Sequence, residues 1–247
     1  MLRAGLLACR VGSPRRERVS LCRHERGRVK ILAISDAAEP VLYGASLSSY
    51  TEGVEAVISC GDLPFEYLEY VVTFSGAPLY YVRGNHDPAE DEKSPGGCVS
   101  LDGRVLEIGG LTLAGLSGSR RYSGGSNQYA EKEMRRRCHL LSAKITLRDF
   151  WGRGKPDVFV THSPPYSLGD RNDPAHEGFK AFLSLIDRHE PPLWLHGHVH
   201  LYGPEVGSQR VTSRGETQVV NAYGHQFVDV GEAPGATREV ANLERGL

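Results

Sequence analysis

The chain has 247 residues, 40% of them hydrophobic and 24% charged, with a formal net charge of −1. That profile is ordinary for a globular protein with one sizeable core, and it gives no whole-protein reason to expect nucleic acid as a partner. The total conceals an asymmetry, because residues 1–28 carry eight Arg against two Glu: +6 there, against −1 overall, leaves −7 for the body.

Residues 1–28 lack hydrophobic periodicity, which predicts a basic, disordered arm ahead of a single domain over residues 29–247. Any attraction to nucleic acid is expected to be nonspecific and confined to that arm. Leu6-Leu7-Ala8-Cys9 resembles a bacterial lipoprotein cleavage box, but too little apolar sequence precedes it for a signal. No apolar run approaches the roughly 18 residues needed to cross a bilayer, so no membrane association is expected. The five cysteines are odd in number and form no C-x-x-C pair. Neither a zinc knuckle nor a disulfide framework is indicated, and a reducing cytoplasm is the expected compartment.

From Val29 to Ser35 the run VKILAIS is almost continuously apolar, as in a strand buried on both faces of a covered sheet. Val54–Cys60 and Leu79–Val82 are further runs of this kind, and Pro64–Phe74 between them has helical spacing. This is the strand, helix, strand rhythm of a parallel sheet. Gly109-Gly110 between Val105–Ile108 and Leu111–Leu116 predicts a hairpin. Ser117–Asn127 is a Gly- and Ser-rich loop, with Arg120, Arg121 and Tyr122 as candidates for contacting a substrate. Tyr129–Phe150 reads as a long amphipathic helix, Val158–Thr161 as a strand, and Pro174–His189 as a helix capped by Asn172 or Asp173. Leu193–His196 is a further short strand, and Gln218–Ala222 with Gln226–Val230 predicts a hairpin around Tyr223-Gly224.

Five strand ends carry one chemistry. Asp36, Asp62, the trio Asn85-His86-Asp87, His162 and the pair His198/His200 each follow an apolar run, where ligands gather in sheets covered by helices. Mixed oxygen and imidazole donors without thiolate suit Mn, Fe, Zn or Co better than an all-oxygen Mg or Ca cage. His198 and His200 lie two apart, so an extended segment points both the same way. These groups suffice for two ions, and a pair about 3.5–4 Å apart is the recurring device for displacement at phosphorus. Taken singly, each has a plainer reading: an Asp after a strand is often a turn cap, and His162 alone suits a core histidine bonded to backbone. Neither a G-x-S-x-G elbow nor a P-loop is present.

Asp36, Gly61-Asp62, Gly84-Asn85-His86-Asp87, Thr161-His162 and Gly197-His198-Val199-His200 resemble, in order and spacing, the successive motifs of the calcineurin-like metallophosphoesterase superfamily. The resemblance implies a four-layer αββα sandwich, an α/β fold with a dinuclear site between two sheets. It implies that Asp62 bridges two divalent ions, that Asp36 and His200 hold the first, and that Asn85, His162 and His198 hold the second. His86 would be the general acid, oriented by Asp87. Where the family motif reads D-x-H, this chain reads Asp36-Ala37-Ala38, so the first ion is expected to bind more weakly unless a neighbour such as Glu39 fills the gap. The implied function is a metal-dependent phosphohydrolase, a phosphodiesterase on a small or nucleotide-like phosphoester with manganese as the expected metal. A degenerate, non-catalytic scaffold is the alternative, and the retained His86 weighs against it.

Overall fold

The computed structural model describes residues 28–89, 91–202 and 209–231. The expected basic arm therefore lies, except for Arg28, outside the described residues.

Two sheets carry the fold. The first has strand order β13 (Gly224–Val230), β1 (Val29–Ser35), β2 (Ala56–Ser59), β3 (Leu79–Tyr81), β4 (Cys98–Ser100), with β1 to β4 parallel and β13 antiparallel to β1. The second runs β11 (Val211–Arg214), β12 (Thr217–Asn221), β10 (Leu193–His196), β9 (Val158–Thr161), β6 (Leu111–Leu116), β5 (Val105–Ile108), with four parallel central strands between two antiparallel edges. A small pair, β7 (Ser119–Arg120) and β8 (Gln128–Tyr129), sits in the loop after β6.

The alternation of side chains along β1 explains the layering. Leu32 and Ile34 pack outward against Leu47 of α1 (Leu47–Tyr50) and Phe65, Leu68 and Val71 of α2 (Phe65–Ser75). Ile31 and Ala33 point the other way, into a cluster shared with Val160, Leu195 and Val220 of the second sheet. That sheet's outer face, with Phe159 and Trp194, is covered by α3 (Glu131–Phe150) and α4 (Lys180–His189) through Leu141, Ile145, Phe182 and Leu185. The order is helix, sheet, sheet, helix, the expected αββα sandwich. Because both sheets are covered, their parallel strands are apolar on both faces. Among the described residues no helix is long and apolar enough to cross a membrane.

Two local expectations are corrected. β12 and β13 do not form a hairpin: β12 pairs with β10 and β11, β13 pairs with β1, and the chain crosses between sheets at Ala222-Tyr223. The hairpin in this region is β11–β12. Helix α4 begins at Lys180 instead of Pro174, because Asp173 Oδ1 accepts the N–H groups of Ala175 and His176 in a local turn and Phe179 then bridges to Pro165 in extended form.

Candidate metal centre

Strands β1, β2 and β3 of one sheet and β9 and β10 of the other end at the same rim, delivering Asp36, Asp62, Asn85, His162, His198 and His200. The turn geometry there is costly. Asp36, Asp62 and His198 have φ of 63°, 55° and 67°, a region that non-glycine residues occupy at a cost and that clusters at functional sites. Crowding is equally specific: a Cβ at Gly84 would collide with the Asp62 carboxylate and the His162 ring, and one at Gly197 with Ser35 and Asp36. Glycine at these two positions lets backbone lie directly against the ligand groups.

Asp62, His162 and His198 place one donor atom each within 4.8 Å of one another. His162 Nε2 lies 3.0 Å from Asn85 Oδ1, 3.1 Å from His198 Nδ1 and 3.2 Å from Asp62 Oδ2. The outer nitrogens are already engaged: His162 Nδ1 donates to the Cys60 carbonyl at 2.8 Å and His198 Nε2 to the Ala175 carbonyl at 2.7 Å. A carbonyl can only accept, so each fixes its ring's tautomer and turns a lone pair inward. With both rings neutral, four acceptor atoms thus converge, which a cation satisfies; the donor set fits a divalent metal of the Mn, Fe, Zn or Co kind.

The same repulsion governs titration. Burial works against charging His162, but the adjacent Asp62 carboxylate outweighs it and holds the ring up at about 9. Burial also opposes ionisation of Asp62, yet the His162 charge and hydrogen bond bring it down to about 2. His198 is pushed down to about 3 by burial and then by His162. Without metal, one proton on His162 does the neutralising.

The pair expected to hold the other ion, Asp36 and His200, is looser. His200 Nε2 lies 3.7 Å from Asp36 Oδ1, and its side chain is 45% exposed. The Asp36 carboxylate holds His200 above the usual imidazole range. Burial resists ionisation of Asp36, but His200, His162 and Ser35 together keep it below the usual carboxylate range. Both Asp36 oxygens accept the His198 N–H, at 3.1 and 2.9 Å. Ala38 is exposed. The Glu39 carboxylate lies against Gly224, and Glu39 is not among the residues whose donor atoms cluster, Asp62, His162 and His198.

His86 is exposed beside this cluster, and its backbone N–H donates to Asp62 Oδ1 at 2.8 Å. Among the described residues, no hydrogen bond joins the Asp87 carboxylate to the His86 ring. Asp87 Oδ2 accepts the N–H groups of Gly84 at 2.8 Å and Asp62 at 3.0 Å, so the carboxylate ties two turns together; burial and the nearby Asp62 hold it above the usual range. Of the three loop candidates, Tyr122 reaches the centre, its hydroxyl accepting Asn85 Nδ2 at 3.1 Å. Arg120 is paired with Glu177 at 2.7 Å and Arg121 with Glu133 at 2.9 Å, so both guanidinium groups already hold a carboxylate.

The calcineurin-like phosphoesterase family model matches residues 51–202, more than half of the chain. This chain belongs to that family. The match takes in every candidate except Asp36, which precedes it. One solved structure superposes with a TM-score of 0.58 at 16% identity, over 82% of this chain and 95% of that one. A second, TT1561 of Thermus thermophilus, gives 0.52 at 18% identity over the same shares, 82% and 95%. Vacuolar Protein Sorting 29 from Cryptosporidium parvum gives 0.42 at 15% identity, over 83% of this chain and 86% of that chain. At these identities the likeness concerns the fold alone. A search of curated proteins finds no match.

Several residues around this centre escape sequence reasoning. Cys60 and Ala175 act through backbone carbonyls, which leave no mark in side-chain identity. Tyr202 and Tyr223 flank His200, with ring centres 6.0 and 4.9 Å away, and the Tyr202 hydroxyl lies 2.9 Å from His200 Nδ1. His176 lies 5.2 Å from the His198 ring and is held by Asp173. The alternation of His and Tyr at 198, 200 and 202 is the one sequence signal that bears on Tyr202.

Proposed function

We propose that this protein is a metal-dependent phosphodiesterase acting on a small or nucleotide-like phosphoester. The observation that carries the reading is the convergence of Asp62, Asn85, His162 and His198, with inward lone pairs fixed by two carbonyls, beside an exposed His86. Asp62, Asn85, His162 and His198 would hold one divalent ion, and Asp36 and His200 a second with Asp62 shared; manganese suits the mixed donors. When bound, such ions supply Lewis-acid charge stabilisation and a nucleophilic water of lowered pKa.

The protein's own residues divide the rest. His86 stands between the ligand cluster and a cavity of about 360 Å³ lined by Leu63, Pro64 and Phe65. A leaving oxygen on that side takes its proton from the His86 ring and departs as an alcohol, and the exposed ring regains a proton from solvent. Asp87 and Asn127 hold the turn that carries His86: the Asn127 amide donates to the Asp87 carbonyl at 2.8 Å. Tyr122 braces Asn85 so that its amide oxygen faces inward. Because Arg120 and Arg121 are already paired, the loop adds no free guanidinium for a dianionic monoester, and a singly charged diester suits the site better.

A second reading, a non-catalytic binding scaffold, is favoured by one observation, the exposed Ala38 in place of the family's imidazole. Hydrolysis of bis-p-nitrophenyl phosphate with added Mn²⁺ separates the two. Turnover that requires metal and falls by orders of magnitude in His86→Ala supports the enzyme, whereas metal binding without turnover on any of a panel of phosphodiesters and monoesters supports the scaffold.

A further inference from the structure

Away from the metal centre, a groove of about 740 Å³ runs between β5 and the C-terminal end of α3. Its lining is chemically one-sided. Arg104, Lys144, Arg148 and Arg153 line it together with Leu106, Leu147 and Trp151, and no carboxylate is among the lining residues. Arg148 is paired with Glu107, while Arg104, Lys144 and Arg153 have no carboxylate partner among the described residues. Leu147 is 60% and Trp151 71% exposed, and neighbouring Phe150 79%, an apolar grouping of the sort that marks an interaction site on an otherwise polar surface.

The strand geometry narrows the occupant. The groove is lined by three consecutive residues from Arg104, whose side chains alternate between sheet faces, so it follows the edge of β5 and not one face. β5 is the outermost strand of its sheet, and such an edge offers unpaired backbone groups to an extended chain. We propose that this groove docks an extended segment of a partner protein in which acidic and apolar residues alternate, the acids meeting Arg104, Lys144 and Arg153 and the apolar side chains meeting Leu147 and Trp151. Charge complementarity excludes the chain's own basic arm, whose eight Arg against two Glu repel this lining.

The test uses the full chain and a labelled synthetic peptide alternating aspartate with leucine and phenylalanine, followed by fluorescence anisotropy. Trp151 serves as a site reporter, because the chain's other tryptophan, Trp194, is fully buried. The peptide binds, shifts Trp151 emission and is weakened by raised salt, and the double variant Lys144→Glu, Arg153→Glu weakens it at least about tenfold. Hydrolysis of bis-p-nitrophenyl phosphate and the thermal midpoint stay unchanged in that variant, since both positions are exposed. Trp151→Ala, measured by anisotropy, also weakens binding. Equal binding of a peptide with lysine in place of aspartate overturns the proposal, as does binding to phosphatidylserine vesicles without binding to the peptide, or no binding to either.

Discussion

In the half of the centre built from Asp62, His162 and His198, each imidazole has its outer nitrogen assigned by a backbone carbonyl, so the inward nitrogen is the one left for an ion: a lone pair on His198, and on His162 a lone pair once its single proton is released. In the half built from Asp36 and His200, the imidazole is 45% exposed, its outer nitrogen faces a Tyr202 hydroxyl that can donate or accept, and the exposed Ala38 nearby in sequence offers no ligand atom. Preorganisation, more than ligand identity, separates the two. A ring with a locked tautomer and no freedom to rotate binds without reordering, while a half-exposed ring must give up both water and motion first. If the proposed two-ion reading holds, that contrast predicts one tightly held ion and one exchangeable ion.

The largest effect is expected at the ring on which the tight half converges. His162→Ala removes a direct ligand and should weaken metal binding by more than the roughly 10–100-fold typical of outer-shell partners, with activity falling to background; metal content by elemental analysis reads this directly. His200→Ala should cost far less in total metal content, and equal losses from the two variants would erase the distinction. Next comes His86→Ala, which should lower kcat by about 10²–10⁴-fold on a poor leaving group while metal content stays the same.

The tight half should also show proton linkage. With His162 held at about 9, the metal-free ring is protonated at pH 7 and must release that proton to bind, so apparent affinity rises about tenfold per pH unit up to about 9 and then levels. Calorimetry in buffers of differing ionisation enthalpy should find close to one proton released per tight ion. Because the folded value is raised, the stability this proton lends the metal-free fold is full below about 6.5 and is lost as pH rises through about 9. The metal-loaded form should not share that loss. The smallest effect belongs to Asp87→Asn. Since Oδ2 alone receives both backbone N–H groups, an amide oxygen can replace it, and kcat should stay within about threefold, whereas a carboxylate acting on the His86 ring would cost far more.

Much of this centre is readable from sequence because doubly covered parallel strands print as unbroken apolar runs, and the residue after each run is then conspicuous. Asp36, Asp62, Asn85, His162, His198 and His200 all stand out in that way. What the runs cannot carry is geometry decided at a distance. The tautomers of His162 and His198 are set by the carbonyls of Cys60 and Ala175, and the left-handed turns at Asp36, Asp62 and His198 are tied to residues distant in sequence, their N–H groups donating to the Gly61 carbonyl, the Asp87 carboxylate and the Asp36 carboxylate. Tyr223-Gly224 between two apolar runs has the local signature of a hairpin, yet non-local pairing sends β12 and β13 to different sheets. Arg120 and Arg121 in a glycine-rich loop look like phosphate ligands until Glu177 and Glu133 arrive from elsewhere in the fold.

The contrast between the half-sites is tested most directly by metal titration of metal-free wild-type protein and of Ala38→His, by calorimetry with Mn²⁺ and elemental analysis. Wild type should bind one ion tightly and a second more weakly, with the weak event alone strengthened in Ala38→His, because an added imidazole supplies a bond to a half-site short of ligands. Two equally tight ions in wild type, or no gain in the variant, would contradict the account.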